Sequence, residues 1–403
     1  MKKYLSLCTV LLLPLFGDLQ PSKVDDLDAL KAWIAAKRQV TIKESAGNLS
    51  ISGDVRAEYL SNHENKNGCR NIGMGSQLPG VSQNQFDVEF NLLLDYRTND
   101  TWGSVKVEFD NDMGALKGSL NRLSLERALV GGRFYQGDNF TIDAEFGRRH
   151  LLFSFDSRMQ FASFMDGAFF RYSHLLPNYA SFYLQGGPFV VNEQMNQFAY
   201  IVEASALDIL NTGGYLKYSL IDWDTKKLGS EIASKEFSFM VHQISGGYNF
   251  SPSFLEKPCT IYSAFLINSS AKQHAFLEDK LLNKGFYVGM SIGKIKRKGD
   301  WSFDLNYQYA QPQTIPDFDV AGIGTGNSDK IGLYSYTIND RKVATTRENA
   351  AGRSNFQGIK AELLLGVSQN FTISQSVKLS RSLEYLPTQY KYGQYRLELI
   401  YSW

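Results

Sequence analysis

Hydrophobic and polar residues alternate one by one along much of this chain. Leu49, Ile51, Val55, Ala57 and Tyr59 share one parity, and Ser50, Ser52, Asp54, Arg56 and Glu58 share the other. Phe86, Val88, Phe90, Leu92, Leu94 and Tyr96 repeat the scheme against Asp87, Glu89, Asn91 and Asp95. Val105, Val107 and Phe109 alternate with Lys106 and Glu108, and Phe140, Ile142, Ala144 and Phe146 with Asp143 and Glu145. Later, Trp301, Phe303, Leu305, Tyr307 and Tyr309 oppose Asp304 and Asn306, and Ile359 to Val367 and Phe371 to Leu379 follow suit. Successive side chains point to opposite faces of a strand, so each segment predicts a strand with one apolar and one wet face. The stretch from about Ala168 to Ile295 alternates less cleanly and leaves strand limits there loosely defined. The final strand is the sharpest. Tyr395, Leu397, Leu399, Tyr401 and Trp403 oppose Gln394, Arg396, Glu398 and Ser402, with Ile400 the exception.

The links between these strands come in two kinds. Thr98 to Thr101, Gln136 to Asn139, Asn211 to Gly214, Arg297 to Asp300 and Ser368 to Asn370 are short. Ser61 to Gln85, Asn111 to Asn121, Thr225 to Lys235 and Gln311 to Asn355 are long. Short turns alternating with longer loops predict an all-β transmembrane antiparallel barrel of about sixteen strands, with both ends periplasmic. Lipid offers no partner for backbone N–H and C=O groups, so a spanning sheet must close. A soluble sandwich also alternates, but does not confine its short links to every second connection. A terminal strand closing on an aromatic residue resembles those that bacterial outer-membrane assembly machinery reads.

The amino terminus points to export. Lys2 and Lys3 precede an apolar run from Tyr4 to Phe16, and Gly17 offers a small residue for cleavage, so 1–17 reads as a signal peptide. Residues 18–47 read as a periplasmic segment whose Ser22 to Gln39 form a short helix. Val24, Leu27, Leu30 and Ile34 keep helical spacing, with aspartates early and Lys37 and Arg38 late. The barrel then occupies 48–403.

Composition narrows the classes. With 27 Phe, 22 Tyr and only 10 Pro the chain suits many strands and aromatic bands, and a net charge of +1 argues against a nucleic-acid partner. Beyond the signal only Cys69 and Cys259 remain, too few for a disulfide scaffold, and the scattered histidines form no metal-ligand spacing. No cofactor, metal or catalytic residue is expected.

Asn48 to Tyr59, containing Ile51-Ser52-Gly53-Asp54-Val55-Arg56, resembles the first strand of the bacterial outer-membrane "putative porin" family. Asn91 to Trp102 looks like its second strand and first tight turn. Ile142 to Arg148 is similar to a rising strand closed by Gly-Arg, with His150-Leu151-Leu152 where the family has a proline. The family also places a short helix between signal and barrel, and carbohydrate-selective porins are its neighbours. The resemblance implies passive diffusion of small hydrophilic solutes or ions across the cell outer membrane.

The strand reading gives the same expectation, because barrels of about sixteen to eighteen strands leave an aqueous channel. Pore-lining candidates on the polar parity are Asp54, Arg56, Glu58, Lys106, Glu108, Asp143, Glu145, Arg149, Asp304, Asn306, Lys360, Glu362, Lys378, Arg396 and Glu398. Both signs occur, so weak charge selectivity is expected. Ser61 to Gln85 and Gln311 to Asn355, the latter with Gly322, Gly324 and Gly326, are the candidate constriction loops. Tyr96, Trp102, Trp301, Tyr309, Tyr401 and Trp403 fall near strand ends and are expected at headgroup depth as an aromatic girdle against outer-membrane lipid. A homotrimer is a further expectation. The rival readings are a surface adhesin or binding barrel, and an outer-membrane hydrolase built on His150 near Asp156, for which no GxSxG serine is present.

Overall fold

The computed structural model describes residues 40–43, 47–70, 83–112, 122–192, 197–224, 238–325 (except 256, 274–276, 278 and 317–318), 335–338, 341–344, 354–385 and 389–403. The expected signal peptide and the Ser22 to Gln39 helix lie outside them.

Sixteen antiparallel strands form one closed sheet. They are β1 (Asn48–Lys66), β2 (Gln83–Arg97), β3 (Thr101–Asp112), β4 (Arg122–Gln136), β5 (Phe140–His150), β6 (Phe164–Leu176), β7 (Ala180–Asn192) and β8 (Gln197–Ile209). Then come β9 (Gly214–Asp224), β10 (Phe239–Phe250), β11 (Cys259–Asn268), β12 (Lys284–Gly293), β13 (Trp301–Ala310), β14 (Phe356–Gly366), β15 (Phe371–Arg381) and β16 (Tyr390–Ser402). Each strand pairs with the next, and β16 pairs with β1 from Asp54↔Ser402 to Lys66↔Tyr390. Two short strands, Val40–Lys43 and Cys69–Arg70, lie along β1, and Ser335–Ile338 pairs with Arg341–Ala344 as a separate hairpin.

Polarity is inverted relative to a water-soluble fold. Phe86 is 58% and Val130 64% exposed on the outer face, whereas Asn91 at 2% and Glu203 at 1% are buried on the inner one. Apolar outside and polar inside is the arrangement a lipid-spanning closed sheet requires, and it follows directly from the period of two. Among the described residues no helix is long and apolar enough to cross a membrane.

Two readings change. β1 continues to Lys66, so residues 61–66 are strand and not loop, with Asn62 and Glu64 buried on the inner parity. Trp102 also belongs inside. It shares the parity of buried Ser104, and its indole N–H donates to Glu145 at 2.7 Å, so it does not face outward with the other aromatic candidates. Cys69 and Cys259 are not joined by a disulfide and lie at opposite ends of the barrel, on the long-loop side and beside a short turn.

The seam is fastened by the last residue. Trp403 N–H donates to Gly53 C=O at 3.0 Å, Gly53 N–H donates back at 3.3 Å, and the indole stacks on Phe90 with centroids 5.7 Å apart. A Cβ at Gly53 would lie 2.6 Å from the Trp403 ring, so this position needs glycine. Two backbone bonds and one aromatic contact amount to about 2–4 kcal/mol at the seam. Deleting Trp403 is expected to lower the yield of heat-resistant folded barrel in refolding gels; an unchanged yield would show that the seam closes without it.

Candidate functional site: the barrel lumen

The register carries the inner face from strand to strand. It sets Glu398 beside Glu58, Arg396 beside Ser376, Lys378 beside Lys360 and Glu362 beside Asp304. Asp54, Arg56, Lys106, Glu108, Asp143, Glu145, Arg149 and Asn306 lie on the same face through the pairings of β1 to β5 and of β13. The charges interlock. Arg56 bonds Asp54 at 2.7 Å and stands 3.5 Å from Glu89, and Arg396 bridges Glu58 at 3.5 Å and Glu398 at 3.8 Å. Lys106 pairs with Glu126, Arg149 with Glu145, Lys360 with Glu362, and Arg133 with Asp143 at 2.9 Å. Most of these side chains are half-buried, so one wall of the lumen, from β13 through β16 to β5, is charged and reachable by water.

The opposite wall is apolar on its inner face too. Ile201, Ile221 and Val241 sit side by side in register, as do Ala199, Trp223 and Phe239, and all are at most 1% exposed. They are covered by two connections that fold into the barrel, residues 151–163 between β5 and β6 and residues 311–316 and 319–325 after β13. These bring Leu151, Phe155, Met159, Phe161, Ile315, Val320 and Ile323 into a common core. The second segment is the start of one expected constriction loop. The first was not anticipated, and Ser61 to Gln85 lies largely in β1 or outside the described residues.

Polar groups hold both segments in place. Gln243 of β10 accepts from Ser157 Oγ at 2.8 Å and from Gln160 Nε2 at 3.3 Å, and donates to the Asp156 carbonyl at 2.7 Å. Asp319 clips one segment to the other. Its carboxylate accepts the N–H of Phe161 at 3.0 Å and of Ser163 at 3.3 Å. The Ala321 N–H donates to Met159 C=O at 2.7 Å. Gly322, at φ +68, is required here, since a Cβ would come 2.1 Å from the Arg158 carbonyl. Burial pushes the Asp319 carboxyl up to about 7, against the lowering effect of its N–H donors. Arg158 reaches 3.5 Å from Asp304 and lies over the Tyr262 ring at 4.8 Å. Burial pulls its guanidinium down, but Tyr262, Asp304 and Asp156 outweigh that and hold it above the usual arginine range.

Of the outward candidates, Tyr96, Trp301, Tyr401 and Trp403 stand at the short-turn end, and Tyr309, stacked on Phe286 at 5.2 Å, at the long-loop end. His150 packs against the rings of Phe164 and Phe153 at 4.4 and 5.1 Å on the outward parity. Asp156 points inward to Lys217 at 2.9 Å, so the two are not brought together. Among the described residues no metal-binding cluster occurs.

Sequence reasoning missed Arg127, Arg158, Arg171 and Lys217, all lumenal. Lys217 had a local signal, since Tyr215, Lys217 and Ser219 oppose Leu216, Tyr218 and Leu220. The pattern dissolves at Ile221 and Trp223, where the inner face turns apolar.

A closed sixteen-strand antiparallel barrel with a polar interior, narrowed by an inward-folded loop, is the porin-type fold. The high-pH structure of Pseudomonas putida OprB superposes with a TM-score of 0.51 at 10% identity, covering 88% of this chain and 94% of that one. Salmonella typhi OmpF, in complex with daunomycin, gives 0.50 at 12% identity over 90% and 100%. The outer membrane channel DcaP of Acinetobacter baumannii gives 0.46 at 12% identity over 90% and 99%. No family model matches the chain, and no curated protein matches it by sequence. The likeness is one of fold.

Proposed function

We propose that this protein is an outer-membrane porin through which small hydrophilic solutes or ions diffuse passively. The observation that carries the reading is the inversion of polarity around a closed sheet. Lipid-compatible residues such as Phe86 and Val130 point out, and a half-buried, ion-paired wall from Arg56 to Arg396 points in. A filled eight-strand barrel has no such wall, whereas one of sixteen strands has room for water between its charges. The outward aromatic residues at both ends suit headgroup depth and serve as the girdle. The OprB and OmpF folds support the same reading.

Purified barrel added to a planar lipid bilayer is expected to insert in equal conductance steps in potassium chloride. Because both charge signs line the open wall, cation and anion permeabilities should agree to within about a factor of five. A folded, membrane-inserted barrel that passes no current would overturn the reading and favour a binding or adhesive role.

A further inference from the structure

Below the inward segment, on the short-turn side, the lumen holds a cavity of 340 Å³ that the diffusion reading does not use. That volume holds on the order of ten waters, and therefore one solute the size of a hexose phosphate. Its surface is unlike the rest of the lumen. Arg158, Arg171 and Lys217 line it, against Asp156 as the single lining carboxylate.

These cations are not equally satisfied. Lys217 is matched by Asp156 at 2.9 Å, and Arg158 stands 3.5 Å from Asp304, itself taken up by the Tyr262 hydroxyl at 2.7 Å. Among the described residues Arg171 has no carboxylate partner. Its guanidinium donates to the neutral Gln185 Oε1, at 2.8 and 2.6 Å, and lies 5.5 Å from the Tyr183 and 5.6 Å from the Phe169 ring centroid. Asp143, its register neighbour, is bound to Arg133. Glu203 is held behind the lining by Gln185 Nε2 at 2.8 Å and by the Tyr183 hydroxyl at 3.2 Å. A partly buried guanidinium without a counter-charge favours an anion in its cavity, because a charge-assisted bond there replaces lost hydration.

The rings of Tyr183, Tyr262 and Tyr287 supply apolar faces for the body of such a solute.

We propose that this cavity binds a small organic anion, a phosphorylated or carboxylated solute of about hexose size, with Arg171 as the principal anion contact. The site rests on the channel reading only in that a solute must reach the lumen, and binding is measurable without current.

The test is isothermal titration of the folded full-length barrel in detergent micelles with glucose 6-phosphate and, separately, with glucose. Saturable binding is expected for the phosphate and none for the neutral sugar. Arg171→Gln should weaken binding about tenfold, the size of one charge-assisted contact, while Arg148→Gln, on the outer wall beside Asp166, leaves it unchanged. Far-UV circular dichroism confirms that each variant is folded; should Arg171→Gln fail there, Lys217→Gln, which removes another lining cation, takes its place with a loss of several-fold. Equal binding of glucose and its phosphate, undiminished binding in the folded variant, or no saturable binding to wild type would each overturn the site. A barrel that conducts without binding sinks the site alone, and one that binds without conducting sinks the channel alone.

Discussion

A barrel in which residues 152–162 are replaced by a short glycine–serine linker is expected to conduct on the order of twice the wild-type current or more in planar bilayers. Leu151 and Ser163 already meet at the base of this segment, where the Leu151 N–H donates to Ser163 C=O at 3.0 Å, so a short bridge closes without moving β5 or β6. Phe155, Met159 and Phe161 would leave the lumen, and water would reach Ile201, Ile221 and Trp223. Stability should therefore fall along with the rise in current. Losing a buried phenylalanine costs about 3–5 kcal/mol, and two are removed. The result that would sink this account is a linker variant with wild-type conductance, which would mean that the segment does not lie in the path.

The second expected result concerns pH. Current should rise and become noisier as pH passes upward through about 7, and Asp319→Asn should flatten that response. The sign follows from linkage. In the clipped state the buried carboxyl keeps its proton up to about 7, whereas an unfolded aspartate ionises near 4. Between those values the clipped state holds more protons, so the clip weakens as pH rises. Ionised and fully buried, Asp319 opposes the clip by on the order of 4 kcal/mol. That cost is what remains after the two N–H donors have acted, and no ion pair among the described residues reduces it further. Asparagine removes the titration and keeps one acceptor oxygen. Single-channel recordings of both proteins from pH 5.5 to 8.5 check it, and identical profiles would place the titrating group elsewhere.

The sheet was legible in the sequence wherever one face of a strand meets lipid and the other meets water. The strands from Asn48 to Phe109, and again from Trp301 to Trp403, show it. There the period of two reports a real difference in environment, and the register carries Arg56, Lys106, Lys360 and Arg396 onto one face. The middle strands read poorly for a physical reason. Inward segments cover β7 to β11 near the long-loop end, so Ile201, Trp223 and Val241 are apolar on the inner parity while Tyr200 and Val202 are apolar on the outer. A strand that is apolar on both faces, one toward the inward segments and one toward the outside, loses alternation. The inward fold of 151–163 was itself hidden, because it depends on Gln243 and Asp319, which lie far along the chain. Trp102 went astray because position near a strand end does not give parity, and its partner Glu145 comes from another strand.

The β1–β16 seam has a consequence for biogenesis. Gly53 must find Trp403, a contact spanning nearly the entire polypeptide, before the circle is complete. Contacts of such high order carry the largest loop-closure entropy and form late, so a nascent chain carries two raw sheet edges until its final strand arrives. Those open edges invite pairing between chains, and a nonsense change that trims β16 should yield aggregated or degraded polypeptide and no smaller pore.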